Sequence, residues 1–273
     1  MDEVITPQRR YLYRYYSNPD YILDVLRHRR LYNNLPSEFN DPFDCRPLFS
    51  LAYNNCSDRE MWRSFLFCLA KIALPNASKG EIDRHAQEGL DAGLPQNKEW
   101  LRERDEELRE IGGLIRVCCF AKNIRNMMLW AHYANNHQGL AFMFRGSFLR
   151  DKKTKEFRGQ DVCYRSGAYK FTDFVDALFQ GVSCGDSLPS ARIIYSSKTQ
   201  HWCGEQEVRF FSTRDHLYSS FQEQGLYGIV FGAKCGQHLI DHVTSALVDW
   251  ETKPQLFKAS IPKSTHRLWI EKY

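Results

Sequence analysis

The sequence predicts an α+β fold, and three observations predict it. Short runs rich in aromatic and β-branched residues recur along the chain. Helical patterns separate them, with no repeat and no low-complexity segment. Of 273 residues, 43% are hydrophobic and 14% aromatic, enough for a substantial core. That length suits one large domain with insertions or two modest ones. The expectation is a single domain over residues 1–273, with a helical insertion at about 58–113.

The first strand is "YLYRYYS", whose aromatic residues favour extended backbone. "NPDYILDVLRHRR" follows as a helix. Ser17 or Asn18 can cap it, Pro19 suits its first turn, and Ile22, Leu23, Val25 and Leu26 supply apolar positions at helical spacing. "LYNNLP" reads as a short second strand and "SEFNDPFDCRP" as a turn-rich loop. The character then changes. "DREMWRSFLFCLAKIAL", "SKGEIDRHAQEGLDAGL" and "NKEWLRERDEELREIGG" each read as a helix, the last with Glu and Arg interleaved as on an exposed face. The pair Gly112–Gly113 closes this stretch.

Strands then dominate. "LIRVCCFAK" and "GLAFMFRG" are strands flanking a short helix around "NMMLWAHYAN". "QDVCYRS" reads as an edge strand and "DFVDALFQGV" as a helix. "WCGEQEVRFFS", "LYGIVFGA", "PQLFKASI" and "HRLWIEKY" are strands, with "GQHLIDHVTSALV" a helix among them.

The formal charge of +4 permits an anionic ligand without the dense basic stripe of a nucleic-acid binder. The basic runs Arg27–Arg30 and Arg150–Lys155 read as solvated surface before nucleic-acid contacts. The nine Cys are scattered without CxxC pairs, as small buried groups of a reduced cytoplasmic protein. Neither a signal-peptide core nor an apolar run of about 18 residues is visible, so no membrane partner is expected.

Four constellations carry chemistry. In "KTQHWCGEQEVRFF", period-two alternation puts Glu205, Glu207 and Arg209 on one strand face and Gln206, Val208 and Phe210 on the other. That face is either a solvated sheet surface with cross-strand ion pairs or a reaction centre. Trp202 and Gly204 just before it suit a pocket wall and hinge. In "FNDPFD", Asn40, Asp41 and Asp44 either build a rigid turn or rim a pocket. In "MMLWAHYANNHQGLAFMF", Trp130, His132 and Tyr133 are candidate ligand contacts. His132 and His137 stand five apart, a poor match for helical zinc ligands, and no metal is expected. In "YLYRYYS", Arg14 faces Leu12 and Tyr16 and requires an acid or a phosphate. No P-loop, dinucleotide-binding glycine motif or GxSxG is present in the sequence.

Together, Tyr13-Arg14-Tyr15, Phe39 to Asp44, Cys119 to Ala121, Met128 to Phe144 and Lys198 to Arg209 resemble a bacterial family of unknown function. More distantly the arrangement resembles ADP-ribosyltransferases. That resemblance implies a mixed or split sheet core and NAD as a substrate. It implies Glu207 as the catalytic acid, Glu205 as its companion, and Arg14 at the NAD phosphates or ribose. The middle motif reads Cys119-Phe120-Ala121 where a hydroxyl is expected, which opens that role to Tyr133. Around such a site, Tyr13, Trp130, His132, Tyr133, Trp202, Lys198, Arg209, Asn40 and Asp41 would bind NAD. The partners implied are NAD, a protein or nucleic-acid acceptor, and a regulatory protein, in a toxin or phage-defence setting. Two alternatives stand beside this. One is a metal-dependent nuclease using Asp41, Asp44, Glu205, Glu207 and Lys198. The other is a non-enzymatic sensor of a nucleotide or phage protein.

Overall fold

A computed structural model describes residues 11–45, 51, 57–112, 115–146, 159–167, 170–184, 195–213, 215–263 and 267–273. The basic run Arg150–Lys155 lies outside them. The chain divides into two compact units. One comprises Met1–Leu35, Ile115–Val162 and His201–Tyr273, the other Pro36–Leu114 and Cys163–Gln200. Mixed α+β architecture with one large mixed sheet is what the pattern of short strands and helices predicts.

The first unit holds an eight-stranded sheet. Its strands are β1 (Tyr11–Tyr16), β3 (Ile115–Ala121), β4 (Leu140–Arg145), β5 (Gly159–Asp161), β8 (Glu207–Thr213), β10 (Leu226–Phe231), β11 (Gln255–Ser260) and β12 (Trp269–Lys272). They run in the order β12-β11-β10-β4-β1-β3-β8-β5. β10 and β11 are parallel and every other neighbouring pair is antiparallel. A small sheet pairs β2 (Arg30–Tyr32) with β9 (Tyr218–Ser220). The pairing of β1 is lopsided. Six residue pairs join it to β4, but one pair, Tyr13 with Ala121, joins it to β3.

Alternation explains the two cores. On one face Leu12, Phe120, Phe142, Phe144, Val208 and Phe210 pack with Ile22, Val25 and Leu26 of α1 (Pro19–His28) and with Ile240 and Val243 of α7 (Gln237–Ala246). On the other, Tyr13, Ala141, Met143 and Phe257 pack with Trp130 of α5 (Met127–Tyr133). Central β4 is buried on both faces from Leu140 to Phe144, which is why its sequence is continuously apolar. α1 begins as predicted. The Asn18 side chain accepts from the Asp20 amide at 2.8 Å, Pro19 follows, and Arg29 ends the helix at φ 49°.

After α5 the chain turns through three consecutive left-handed residues, Asn135, Asn136 and His137 (φ 47°, 51° and 71°). Two glycines pin this turn. A Cβ on Gly139 would stand 2.1 Å from the Tyr16 carbonyl, and one on Gly232 2.1 Å from that of His137.

The second unit contains α2 (Arg59–Ala73), α3 (Lys79–Asp91), α4 (Lys98–Gly112) and α6 (Phe171–Cys184). The first three are the helices predicted for 58–113, and residues 163–200 share their unit. Ser78 and Glu81 close a reciprocal capping box on α3. Trp62 and Phe171, with ring centroids 4.7 Å apart, join α2 to α6. "QDVCYRS" is not one strand. It breaks at Val162 into β5, at the edge of the large sheet, and β6 (Cys163–Arg165), which pairs in parallel with β7 (Ser197–Thr199) in the second unit. Among the described residues no helix is long and apolar enough to cross a membrane.

Candidate functional site

The expected strand through Glu205, Glu207 and Arg209 is half right. β8 starts only at Glu207. Residues Gln200–Glu205 form a 3-10 turn, and Gln206 sits at φ 48°, so Glu205 leaves the strand face. The alternation argument fails at one left-handed residue, because it requires extended backbone on both sides. The bend is at Gln206 and not at Gly204, the residue that suggested a hinge. Two backbone bonds hold it: Gln206 donates to the Cys203 carbonyl at 3.3 Å, and Lys122 donates to the Gln206 carbonyl at 3.1 Å.

Helix α5 grips this turn at both ends. Asn126 caps the helix, accepting from the Met128 and Leu129 amides at 2.9 and 3.4 Å. The same side chain donates its amide N–H to the Gly204 carbonyl. Seven residues later, Tyr133 donates its hydroxyl to Glu205 Oε1 at 2.8 Å. Glu205 is thereby buried and oriented by a phenol. The half-buried Trp202 packs edge-on to the exposed His132 ring, with centroids 6.4 Å apart.

On β8, Arg209 forks Glu207, with Nε to Oε1 and Nη2 to Oε2 both at 2.9 Å. Arg209 is 0% exposed and Glu207 6%. These are two charges taken out of water, so the pair is a built feature and not a solvated surface bridge. Strand register then says what shares its face. Glu207 stands opposite Ala121, which stands opposite Tyr13, while Arg209 stands opposite Cys119 and Gln160. Paired residues point the same way, so Tyr13 shares the face of Glu207.

Arg14 is on the opposite face by the same register. Its guanidinium donates to the Tyr32 carbonyl at 2.7 Å, to Asn34 Oδ1 at 3.4 Å and to the Cys118 sulfur. It fills the gap where β1 and β3 diverge, and backbone oxygen meets the requirement that the sequence assigned to an acid or a phosphate. Burial pushes the Cys118 thiol up, with the Arg14 charge opposing. Tyr13 is buried and its hydroxyl is pushed up to about 12, first by burial and then by Tyr11, with Arg125 pulling down. Trp130 is fully buried. Its indole N–H donates to the Ile124 carbonyl at 2.6 Å, Tyr15 meets it edge-on and His137 stacks on it. It is core and offers no open face for stacking on a ligand ring.

Lys198, Asn40, Asp41 and Asp44 belong to the second unit. There Asp41 Oδ1 accepts from the Phe43 amide at 2.9 Å across Pro42, the turn chemistry that "FNDPFD" predicts. Asn40 is exposed. Lys198 Nζ stands 3.3 Å from Asp44 Oδ2, both buried. Among the described residues no group of three or more His, Cys, Asp or Glu is placed to hold a metal ion.

The first unit therefore assembles Tyr133, Glu205, Trp202 and His132, with the Glu207–Arg209 pair at the start of the next strand. Sequence reasoning missed Asn126 and Gln206. Asn126 had a signal, an Asn just before an apolar helical run. The left-handed turn at Gln206 had none. Residues 129–210 match the sequence model of a family described as a protein of unknown function, DUF2971. A family of unknown function is what the combined motifs resemble. The matched stretch includes Tyr133, Glu205, Glu207 and Arg209, the polar residues just described. Comparison with curated proteins and with solved structures returns no match.

Proposed function

We propose that this protein consumes NAD, transferring ADP-ribose to a macromolecule or hydrolysing NAD. One observation carries the reading. Two buried carboxylates stand at the entry of β8, Glu205 oriented by Tyr133 and Glu207 by Arg209, beside strand β3 that β1 meets through one residue pair. A sheet that parts there supports an ADP-ribosyltransferase-like split core. In this reaction the bond between the ribose C1′ and the nicotinamide nitrogen breaks, and its electron pair leaves with neutral nicotinamide. Positive charge develops on the ribose. Glu207, held in place by its ion pair with Arg209, stabilises that charge through a ribose hydroxyl. Glu205 takes the proton from the water or acceptor group that bonds C1′. Trp202 and His132 supply rings beside the reacting centre. Arg14 and Trp130 act in this reading as supports of the sheet and of α5.

The experiment is nicotinamide release from NAD by the purified chain, with candidate protein, RNA and DNA acceptors added in turn. Glu207→Gln abolishes release, and Tyr133→Phe lowers it while leaving the fold intact. A folded chain that releases no nicotinamide under any of these conditions overturns the proposal. The burial of the Glu207–Arg209 fork favours a second reading, a sensor that binds a nucleotide without turning it over. It predicts saturable NAD binding with the nucleotide recovered unchanged.

A further inference from the structure

Helix α7 lies outside the site just described. It buries Ile240 and Val243 against the sheet and leaves His238, Asp241 and His242 exposed. Residues four apart on a helix lie one turn apart on the same face. The His238 and His242 ring centroids are accordingly 4.0 Å apart, at an interplanar angle of 57°. Among the described residues neither imidazole has a hydrogen-bond or ion-pair partner, whereas the intervening Asp241 accepts from Gln237 Nε2 at 2.8 Å. Two free imidazoles at this spacing form the same pair that helical zinc motifs use to bind one ion. Imidazole is a favoured ligand of zinc, nickel and copper and a poor one of magnesium or calcium.

We infer that His238 and His242 form a two-histidine chelate site for a divalent transition-metal cation of the zinc, nickel and copper class. Two protein ligands leave coordination positions open. His242 also lines a groove of about 450 Å³ between α1 and α7, together with Arg27, Asp249 and Trp250. An ion on the pair therefore stands at the rim of that groove, where water or a ligand donor completes its shell. The site is independent of Glu205 and Glu207, so its fate does not depend on NAD chemistry.

The test is calorimetric titration of the untagged full chain with Ni²⁺ and with Zn²⁺, beside His238→Ala, His242→Ala and, as a control, His85→Ala. His85 is exposed on α3 and paired with Glu88, away from any second imidazole at this spacing. Alanine is the best helix former and all three positions are exposed, so the variants fold. One equivalent binds to the wild type, and either α7 substitution weakens it about tenfold or more, because the chelate is lost. The control is unchanged. Cu²⁺ bound to the wild type shows two imidazole nitrogens by electron paramagnetic resonance, and one in each α7 variant. Equal affinity across all four proteins, or no uptake by the wild type, overturns the inference.

Discussion

Replacing Arg209 with methionine removes the cation from a buried pair and leaves the Glu207 carboxylate in a site that is 6% exposed. Two charge-assisted bonds, each 2.9 Å long, disappear together. Breaking a buried pair from one side costs about 3–5 kcal/mol, most of it the penalty for the charge left behind. With a urea slope of about 2 kcal/mol/M, that is a fall of roughly 1.5–2.5 M in the unfolding midpoint. Adding Glu207→Leu to Arg209→Met removes the buried carboxylate as well. The double variant should therefore recover at least about 1 kcal/mol over Arg209→Met alone. Urea unfolding followed by circular dichroism reads both numbers, and a double-mutant cycle isolates the coupling. A midpoint change below about 0.5 M for Arg209→Met would refute the reasoning, since the pair would then be exchanging with water. So would a double variant less stable than the single one.

Two further outcomes follow from the turn after α5. Burial, and next the Lys234 charge, hold the His137 imidazole of the folded chain below its ordinary value of 6.5. The unfolded chain binds that proton first, and stability falls as pH drops below about 6.5. Asn at this position accepts the left-handed backbone, so His137→Asn flattens the pH dependence of the urea midpoint below that value. An unchanged slope would show that other groups cause it. Gly232→Ala would place a methyl 2.1 Å from the His137 carbonyl, with backbone on both sides unable to give way. It should lower stability by about 3 kcal/mol or more, measured by the same unfolding assay, and a loss under 1 kcal/mol would contradict the packing.

Much of the local structure was legible in the residues. Asn18 and Pro19 start α1 where the capping rules put it, and the run from Leu140 to Phe144 reads as the strand it forms. Period two correctly put Glu207 and Arg209 on one face and Val208 and Phe210 on the other, the face that the structure buries in the core. It failed at Glu205, because Gln206 takes a left-handed conformation with no glycine to announce it. It failed differently for Arg14. The pattern placed this residue among Leu12 and Tyr16, and its partners came from Tyr32, Asn34 and Cys118, which no local rule connects to it. The strands Ser197–Thr199 and Tyr218–Ser220 carry no hydrophobic run long enough to read, since their pairing with Cys163–Arg165 and Arg30–Tyr32 is what makes them strands.

By itself the sequence determined the α+β class, the helices of 59–112, the turn at Asp41 and the inventory of acids, bases and rings. These follow from propensity, capping and periodicity, which act over a few residues. Tertiary structure alone decided which of those groups meet. Strand register puts Glu207 beside Ala121 and Tyr13, and sends Arg14 to the far face. Helix α5, fastened at Asn126 and Tyr133, turns Glu205 toward a phenol. Long-range pairing sets both outcomes, because a side chain's neighbours across a sheet depend on strand order and on the backbone angle of single residues such as Gln206, neither of which a residue's own neighbours in sequence encode.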